Sequence, residues 1–306
     1  FISAAFGYVR IGTVARDVQA LINDAELAQR QSQQTLAVTW TQYTGALERR
    51  TRAAVATTRD LRQALERDEL MLYYQPKVDL ASGAVLAGEA LLRWRHAERG
   101  MIPPDGFIPL AEQSQLIGPI GEWVLRQACR ELRAARDAGL AVLPVSVNLS
   151  LAQFQLGCMP AIVEQALADF GIAPHELTLE ITESVFEENS DVLKADLHTL
   201  SAMGVKLSLD DFGTGYSSLG HLKDYPFDEI KIDKTFVWQL DDGAYARAII
   251  KAIQAVAEAI GATIVAEGVE SAHHVEILQG LGCITGQGFY YNRPLPESQW
   301  RQLLSR

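Results

Sequence analysis

The chain has 306 residues, 48% of them apolar and 21% charged, and a formal net charge of −11. That is an ordinary globular composition, long enough for one large α/β barrel or for one domain with a smaller appendage. The acidic balance argues against a surface for duplex DNA or anionic lipid, which needs clustered Lys and Arg, but not against a small phosphate-bearing ligand held through cations. No apolar run approaches the ~18 residues of a membrane span and no secretory leader is visible, so a cytoplasmic chain without membrane contact is expected. The start at Phe1 without an initiator Met suits a piece of a longer protein, which could itself be membrane-anchored. Cys129, Cys158 and Cys283 fall at wide spacings without CxxC pairs, and read as small buried or half-buried thiols in a reducing compartment.

Along the chain, residues 1–58 hold one strand-like run, Ala4 to Ile11, followed by an Ala/Gln/Arg-rich helical stretch with too little apolar material for a core of its own. Thr51 to Asp68 reads as an amphipathic helix leading into the second region, 59–306. From Leu70 onward, β-type runs alternate with helical patterns. The runs are Leu70–Val78, Val85–Trp94, Val142–Leu149, Leu177–Thr182, Lys206–Asp211, Glu229–Asp233, Thr263–Glu267 and Gly288–Tyr291. The helical patterns include Pro119–Ala138, Ala152–Phe170, Ala244–Ile260 and His273–Leu281. The first two runs are joined too closely for a helix and predict a hairpin; the rest repeat strand then helix, the rhythm of parallel βα units. The expected fold is a TIM-like (β/α)8 barrel with one antiparallel strand, with a doubly wound open sheet as the alternative.

Alternation within the strands carries the functional reading, because residues two apart share a face. Val145 and Val147 oppose Ser146 and Asn148, and Leu177 and Leu179 oppose Thr178 and Glu180. Leu207 and Leu209 oppose Lys206, Ser208 and Asp210, and Ile230 and Ile232 oppose Glu229, Lys231 and Asp233. Ile264 and Ala266 likewise oppose Thr263, Val265 and Glu267. If the apolar face packs on helices, the other points into the barrel. Asn148, Glu180, Asp210, Asp233 and Glu267 then gather at the C-terminal mouth, where barrel enzymes place their chemistry, with Lys231 one step deeper and Glu89 beside them. Converging carboxylates would take up protons unless cations compensate them. A Glu/Asp/Asn set without His or Cys selects hard ions, Mg²⁺ or Mn²⁺. The adjacent Asp210 and Asp211 could let one carboxylate bridge two ions, an arrangement suited to in-line attack on a phosphodiester, with Lys231 polarising the water or neutralising developing charge. Gly213 and Gly215 permit a tight turn after this pair, and Ser217 and Ser218 could cap the helix that follows.

With Glu89-Ala-Leu-Leu-Arg-Trp94, Asn148-Leu-Ser150, Glu180-Ile-Thr-Glu183, Asp210-Asp-Phe-Gly-Thr-Gly215, Lys231-Ile-Asp233, Glu267-Gly-Val-Glu270 and Gln287-Gly-Phe289 in this order, the stretch from about Leu61 to Leu304 resembles the EAL domain of bacterial cyclic di-GMP phosphodiesterases. The resemblance implies a TIM-like barrel with one antiparallel strand, hydrolysis of cyclic di-GMP to linear pGpG, two ions (Mg²⁺ or Mn²⁺) and a homodimer. It implies that Glu89, Asn148, Glu180 and Asp210 hold one ion, with Asp210, Asp211 and Glu267 around the other. Lys231 would assist the water, Gln287 would support the water or the ion's surroundings, and Glu183 would tether the Asp211–Leu219 loop. Gln75, Arg93 and Asp233 would contact the dinucleotide. Ile284 stands where the family usually has Asp, so any polar support there is lost. Residues 1–58 resemble the C-terminal end of a GGDEF domain, without its signature and most of its core. Three rivals are set against this reading: a receptor that binds cyclic di-GMP without cleaving it, an enolase-type metal barrel, and an HD-type phosphodiesterase. The last needs a His-Asp pair, which the sequence lacks; His273 and His274 read as solvated.

Overall fold

A computed structural model describes residues 4–11, 17–34, 40–188, 190–213, 219–241 and 243–305. The chain divides into two compact units, Phe1–Gln63 and Ala64–Arg306. In the first, the strand Phe6–Tyr8 pairs in parallel with Trp40–Gln42, with the helix Val18–Gln34 between them in sequence. The second strand is too short to stand out from the sequence. The helix Gly45–Ala64 begins earlier than Thr51 and stops before Asp68, whose φ of 53° is incompatible with a continuing right-handed turn.

The second unit is an eight-stranded closed barrel of β1 (Leu70–Asp79), β2 (Val85–His96), β3 (Val145–Asn148), β4 (Leu177–Thr182), β5 (Lys206–Phe212), β6 (Glu229–Ile232), β7 (Thr263–Ala266) and β8 (Thr285–Gly286). From β2 to β8 each strand is parallel to the next, and β1 closes the ring by pairing antiparallel with both β2 and β8. The reversal follows from the hairpin between β1 and β2. Asp79 Oδ1 accepts from Ser82 N at 2.7 Å and Ala81 N at 3.2 Å, and Gly83 takes φ 73°, so the chain turns back with no room for a crossover helix.

The outward residues of the parallel strands are the apolar set that alternation predicts: Leu177, Leu179, Ile181, Leu207, Leu209 and Ile230 are fully buried. Helices cover them. In α1 (Ile117–Asp137), Ile117, Ile120, Val124, Ala128 and Leu132 form one buried stripe at helical spacing. In α5 (Ala244–Ile260), Ala246, Ile250, Ile253 and Ala257 do the same, and Gly261 ends the helix at φ 77°. The predicted helix Ala152–Phe170 is two, α2 (Leu151–Gln155) and α3 (Met159–Phe170), because Gly157 and Cys158 both take positive φ, 78° and 62°.

One strand differs from its expected place. The eighth is Thr285–Gly286, and the aromatic run Gly288–Tyr291 is a turn in which Tyr291 N donates to Gly288 O at 3.1 Å. At Gly288 the chain passes so close to the Val269 backbone that any side chain would collide with it. Phe289 and Tyr290 are therefore half-exposed at the rim rather than laddered into the sheet. Gly215, Ser217 and Ser218 lie outside the described residues. Among those described, no helix is long and apolar enough to cross a membrane.

Candidate active site

The barrel interior is polar, and its charges fall into two layers. In the lower one Lys77, from β1, donates to Glu180 Oε1 at 2.8 Å and to Glu229 Oε1 at 2.6 Å, and Ser208 Oγ donates to the same Glu229 oxygen at 2.8 Å. Above it, Lys231 Nζ lies 2.7 Å from Glu180 Oε2, 2.8 Å from Glu267 Oε1, 3.0 Å from Asp210 Oδ1 and 3.5 Å from Glu89 Oε2. Both lysines are fully buried. Glu180 joins the layers, one oxygen on each ammonium group.

The placement of the acid pair depends on an irregularity in β5. Leu209 pairs with Ile230 and Phe212 with Ile232, so Asp210 and Asp211 together stand opposite the single residue Lys231. Asp211 absorbs the extra residue at φ 55°, a conformation that Asp tolerates better than most, and its N–H closes onto Asp210 Oδ1 at 2.9 Å. Strict alternation would send Asp211 outward; the bulge brings its carboxylate within 4.8 Å of both Asp210 and Glu267.

Amides surround Glu89. Asn148 Nδ2 donates to its Oε1 at 2.7 Å, and Gln287 Nε2 donates to its Oε2 at 2.6 Å and to Gln75 Oε1 at 3.1 Å. The cleft above has a volume of about 510 Å³, with Gln75, Glu89, Asn148, Asp210, Lys231, Glu267 and Gln287 in its wall. Seven residues singled out in the sequence therefore meet in one cavity, with Glu180 beneath them. Glu183 sits to the side, its Oε2 accepting from Gly213 N at 2.9 Å at the edge of the loop it was expected to tether. Asp233 is buried beside Asp211, and its Oδ1 caps α4 (Lys234–Trp238), accepting from Thr235 N at 2.9 Å and from the Thr235 hydroxyl. Arg93 is not in the cleft wall; its Nη1 donates to Leu92 O at 2.8 Å and its guanidinium lies over the Tyr73 ring.

Burial and crowding set the protonation of the acids. Burial pushes the Glu267 carboxyl up to about 8; Lys231 opposes the rise, and Asp210 and Glu89 add to it. Asp211, although exposed at the mouth, is raised to about 6 by partial desolvation and then by Asp210 and Asp233. Glu89 is raised by burial and then by Glu180. Glu180 goes the other way: burial opposes its charge, but Lys231 and Lys77 together hold it down to about 2.

These shifts follow from an imbalance of charge. Two ammonium groups face six carboxylates, those of Glu89, Glu180, Asp210, Asp211, Glu229 and Glu267. The acids outnumber the cations around Lys231, and the donors are the oxygens that hard divalent cations take. Gln287 Oε1, buried beside Glu89 without a hydrogen-bond partner, adds an unused acceptor. The residues thus fit a hard divalent ion.

Three features escaped the sequence reading. Lys77 shares a strand face with Gln75 and could have been found by the same alternation; Glu229 was seen on the inward face without a role. His274, expected to be solvated, is 6% exposed, because it lies one turn from Leu278 on the buried side of α6 (Ala272–Gly280). The Ile284 side chain is exposed, and its backbone oxygen accepts from Leu80 N at 2.8 Å.

The profile of the EAL domain matches residues 58–294. The chain belongs to the EAL family. It is 48% identical over 240 residues to the bifunctional diguanylate cyclase/cyclic di-GMP phosphodiesterase MucR of Pseudomonas aeruginosa, covering 78% of this chain and 35% of MucR. A solved MucR phosphodiesterase in complex with c-di-GMP superposes with a TM-score of 0.76 at 46% identity, over 80% of this chain and 99% of that one. The EAL enzyme Bd1971, bound to cAMP and cyclic di-GMP, superposes with a TM-score of 0.79 at 28% identity, over 95% of this chain and 77% of its own. This EAL chain spans about a third of the length of the curated relatives it matches, between 29% and 40%.

Proposed function

We propose that the barrel hydrolyses cyclic di-GMP to linear pGpG with the help of two divalent cations, Mg²⁺ or Mn²⁺. The observation that carries this is the surplus of buried carboxylates around Lys231, at the floor of a cleft in a chain whose relative MucR holds c-di-GMP. Glu89, Asn148, Glu180 and Asp210 would hold one ion, and Asp210, Asp211 and Glu267 the other. When bound, such ions supply an ionised water at neutral pH and a counter-charge for the phosphoryl oxygens.

The chain's own residues do the rest. Lys77 keeps one oxygen of Glu180 neutralised whatever happens above it, which leaves Lys231 free to exchange a carboxylate for the scissile phosphate or the attacking water. Lys231, held protonated by its acid neighbours although burial opposes its charge, donates a hydrogen bond to the oxygen that becomes more negative. Gln287 and Asn148 fix the rotamer of Glu89 through its two oxygens. Gln75, on the cleft wall, is set against the ligand by its bonds to Gln287 and to Asn292 O. Asp233 contributes by fixing the start of α4, and Arg93 would reach the ligand only by leaving Leu92 O. The same reading includes a homodimer coupled to the site through Glu183 and the loop after Gly213, a cytoplasmic setting, and a first unit that is what remains of a GGDEF domain.

The test is incubation of purified protein with cyclic di-GMP, with Mg²⁺ or Mn²⁺ and separately with chelator, the products being resolved by chromatography. Metal-dependent pGpG is the expected result. Tight binding without pGpG would make the chain a receptor and overturn the enzymatic reading.

A further inference from the structure

The charged floor of the cleft accounts for a phosphodiester but not for the bases attached to it. At the rim, Trp238 ends α4 and is 47% exposed, in the wall of the same cavity as Asp210, Lys231 and Glu267. An aromatic ring held at the mouth of a polar cavity offers a flat apolar face beside its charged floor.

Trp238 is held in this place by its surroundings. Asp233 caps α4, fixing the start of the helix directly after Lys231. Gly268, which follows Glu267, takes φ 69° and has no side chain; a Cβ there would lie 2.5 Å from Lys234 Cβ and 3.1 Å from the Trp238 indole nitrogen, so a glycine at this position lets the first turn of α4 and the Trp238 ring pack closely on the β7 end of the barrel. One turn earlier on α4, Lys234 places its ammonium group 5.7 Å from the centre of the indole. The rim thus offers a cation beside an aromatic plane, and a nucleotide offers a phosphate beside a base.

We propose that Trp238 is a positioning residue of this site, the plane on which one guanine of the cyclic dinucleotide stacks, with Lys234 facing the attached phosphate. The inference rests on the reading of the cleft as a cyclic di-GMP site and assigns base recognition within it. Stacking on an aromatic side chain acts in ground state and transition state alike, so its loss shows in KM rather than in kcat.

The experiment compares wild-type protein, Trp238→Ala and Trp238→Phe on two substrates with Mn²⁺: cyclic di-GMP, and bis(p-nitrophenyl) phosphate, a phosphodiester without purines. The expected result for Trp238→Ala is a KM for cyclic di-GMP raised about tenfold, a kcat within about twofold of wild type, and unchanged turnover of the artificial diester. Trp238→Phe restores most of the affinity, because it restores a ring. Equal KM values for cyclic di-GMP in wild type and Trp238→Ala would overturn the proposal, and so would an equal loss on both substrates, which would mark general damage to the mouth. Wild-type protein that cleaves the artificial diester but neither binds nor cleaves cyclic di-GMP would remove the substrate reading, and this inference with it.

Discussion

The two charged layers inside the barrel are built from the same residue types and behave oppositely. In the lower layer Lys77 is shared between Glu180 and Glu229, Ser208 supports Glu229, and each group has its partner. In the upper layer one ammonium group is surrounded by Glu89, Asp210, Glu267 and the free side of Glu180, with Asp211 added by the bulge. The lower layer is a closed ion-pair network; the upper is an open one in which burial and crowding raise Glu89, Glu267 and Asp211 above the ordinary carboxylate range. A buried charge cluster that is complete reads as structure, and one left acid-rich reads as a place for cations.

The contrast is broken most severely from below. Lys77→Met leaves Glu180 and Glu229 buried with less compensation, and a buried pair deprived of one partner costs roughly 3–5 kcal/mol. The expected outcome is a fall in melting temperature of about 10 °C by calorimetry in chelator. The opposite holds above: Asp210→Ala removes one of the excess acids, so metal-free protein should melt no lower than wild type. Its turnover of cyclic di-GMP should drop by at least about a thousandfold, beyond the 10- to 100-fold that loss of a group supporting a ligand usually costs. A stable Lys77→Met, or an active Asp210→Ala, would merge the two layers into one.

Smaller effects sharpen the same contrast. Glu183→Ala removes the acceptor of Gly213 N beside the acid pair, and kcat should fall about tenfold while the fold is kept. Unchanged kinetics would leave Glu183 with a purely structural role. The upper layer should also make stability depend on pH. Glu267 is raised to about 8 and Asp211 to about 6, so between the ordinary carboxylate range and those values the folded chain holds protons that the unfolded chain has released. Stability of metal-free protein therefore declines as pH rises from about 5 to about 9, and Mg²⁺, which favours the ionised acids, should flatten or reverse that decline. Melting curves in chelator and in Mg²⁺ across that range check it.

Much of this site could be read from the sequence because period-two alternation needs no long-range information. Asn148, Glu180, Asp210, Lys231 and Glu267 each end or occupy the polar face of a strand whose other face is aliphatic, and the fold places them together. The rest depended on contacts that periodicity does not carry. Lys77 is a single cation in an apolar run, and its partners are 103 and 152 residues away. Asp211 reaches the site through a bulge that alternation denies. Asp233 lies on the expected face but turns to cap a helix, and β8 is two residues long, too short to show a pattern. Trp238 sits on a five-residue helix whose direction only the closed barrel defines.

The central claim is that the upper layer is completed by cations and the lower one is not. Calorimetric titration of chelator-stripped protein with Mn²⁺ near neutral pH, in two buffers of different ionisation enthalpy, tests it most directly. The account predicts two ions bound per chain in wild type, with protons released into the buffer, and loss of at least one ion in Asp210→Ala. Absence of Mn²⁺ binding, or binding that neither releases protons nor changes with Asp210→Ala, would contradict it.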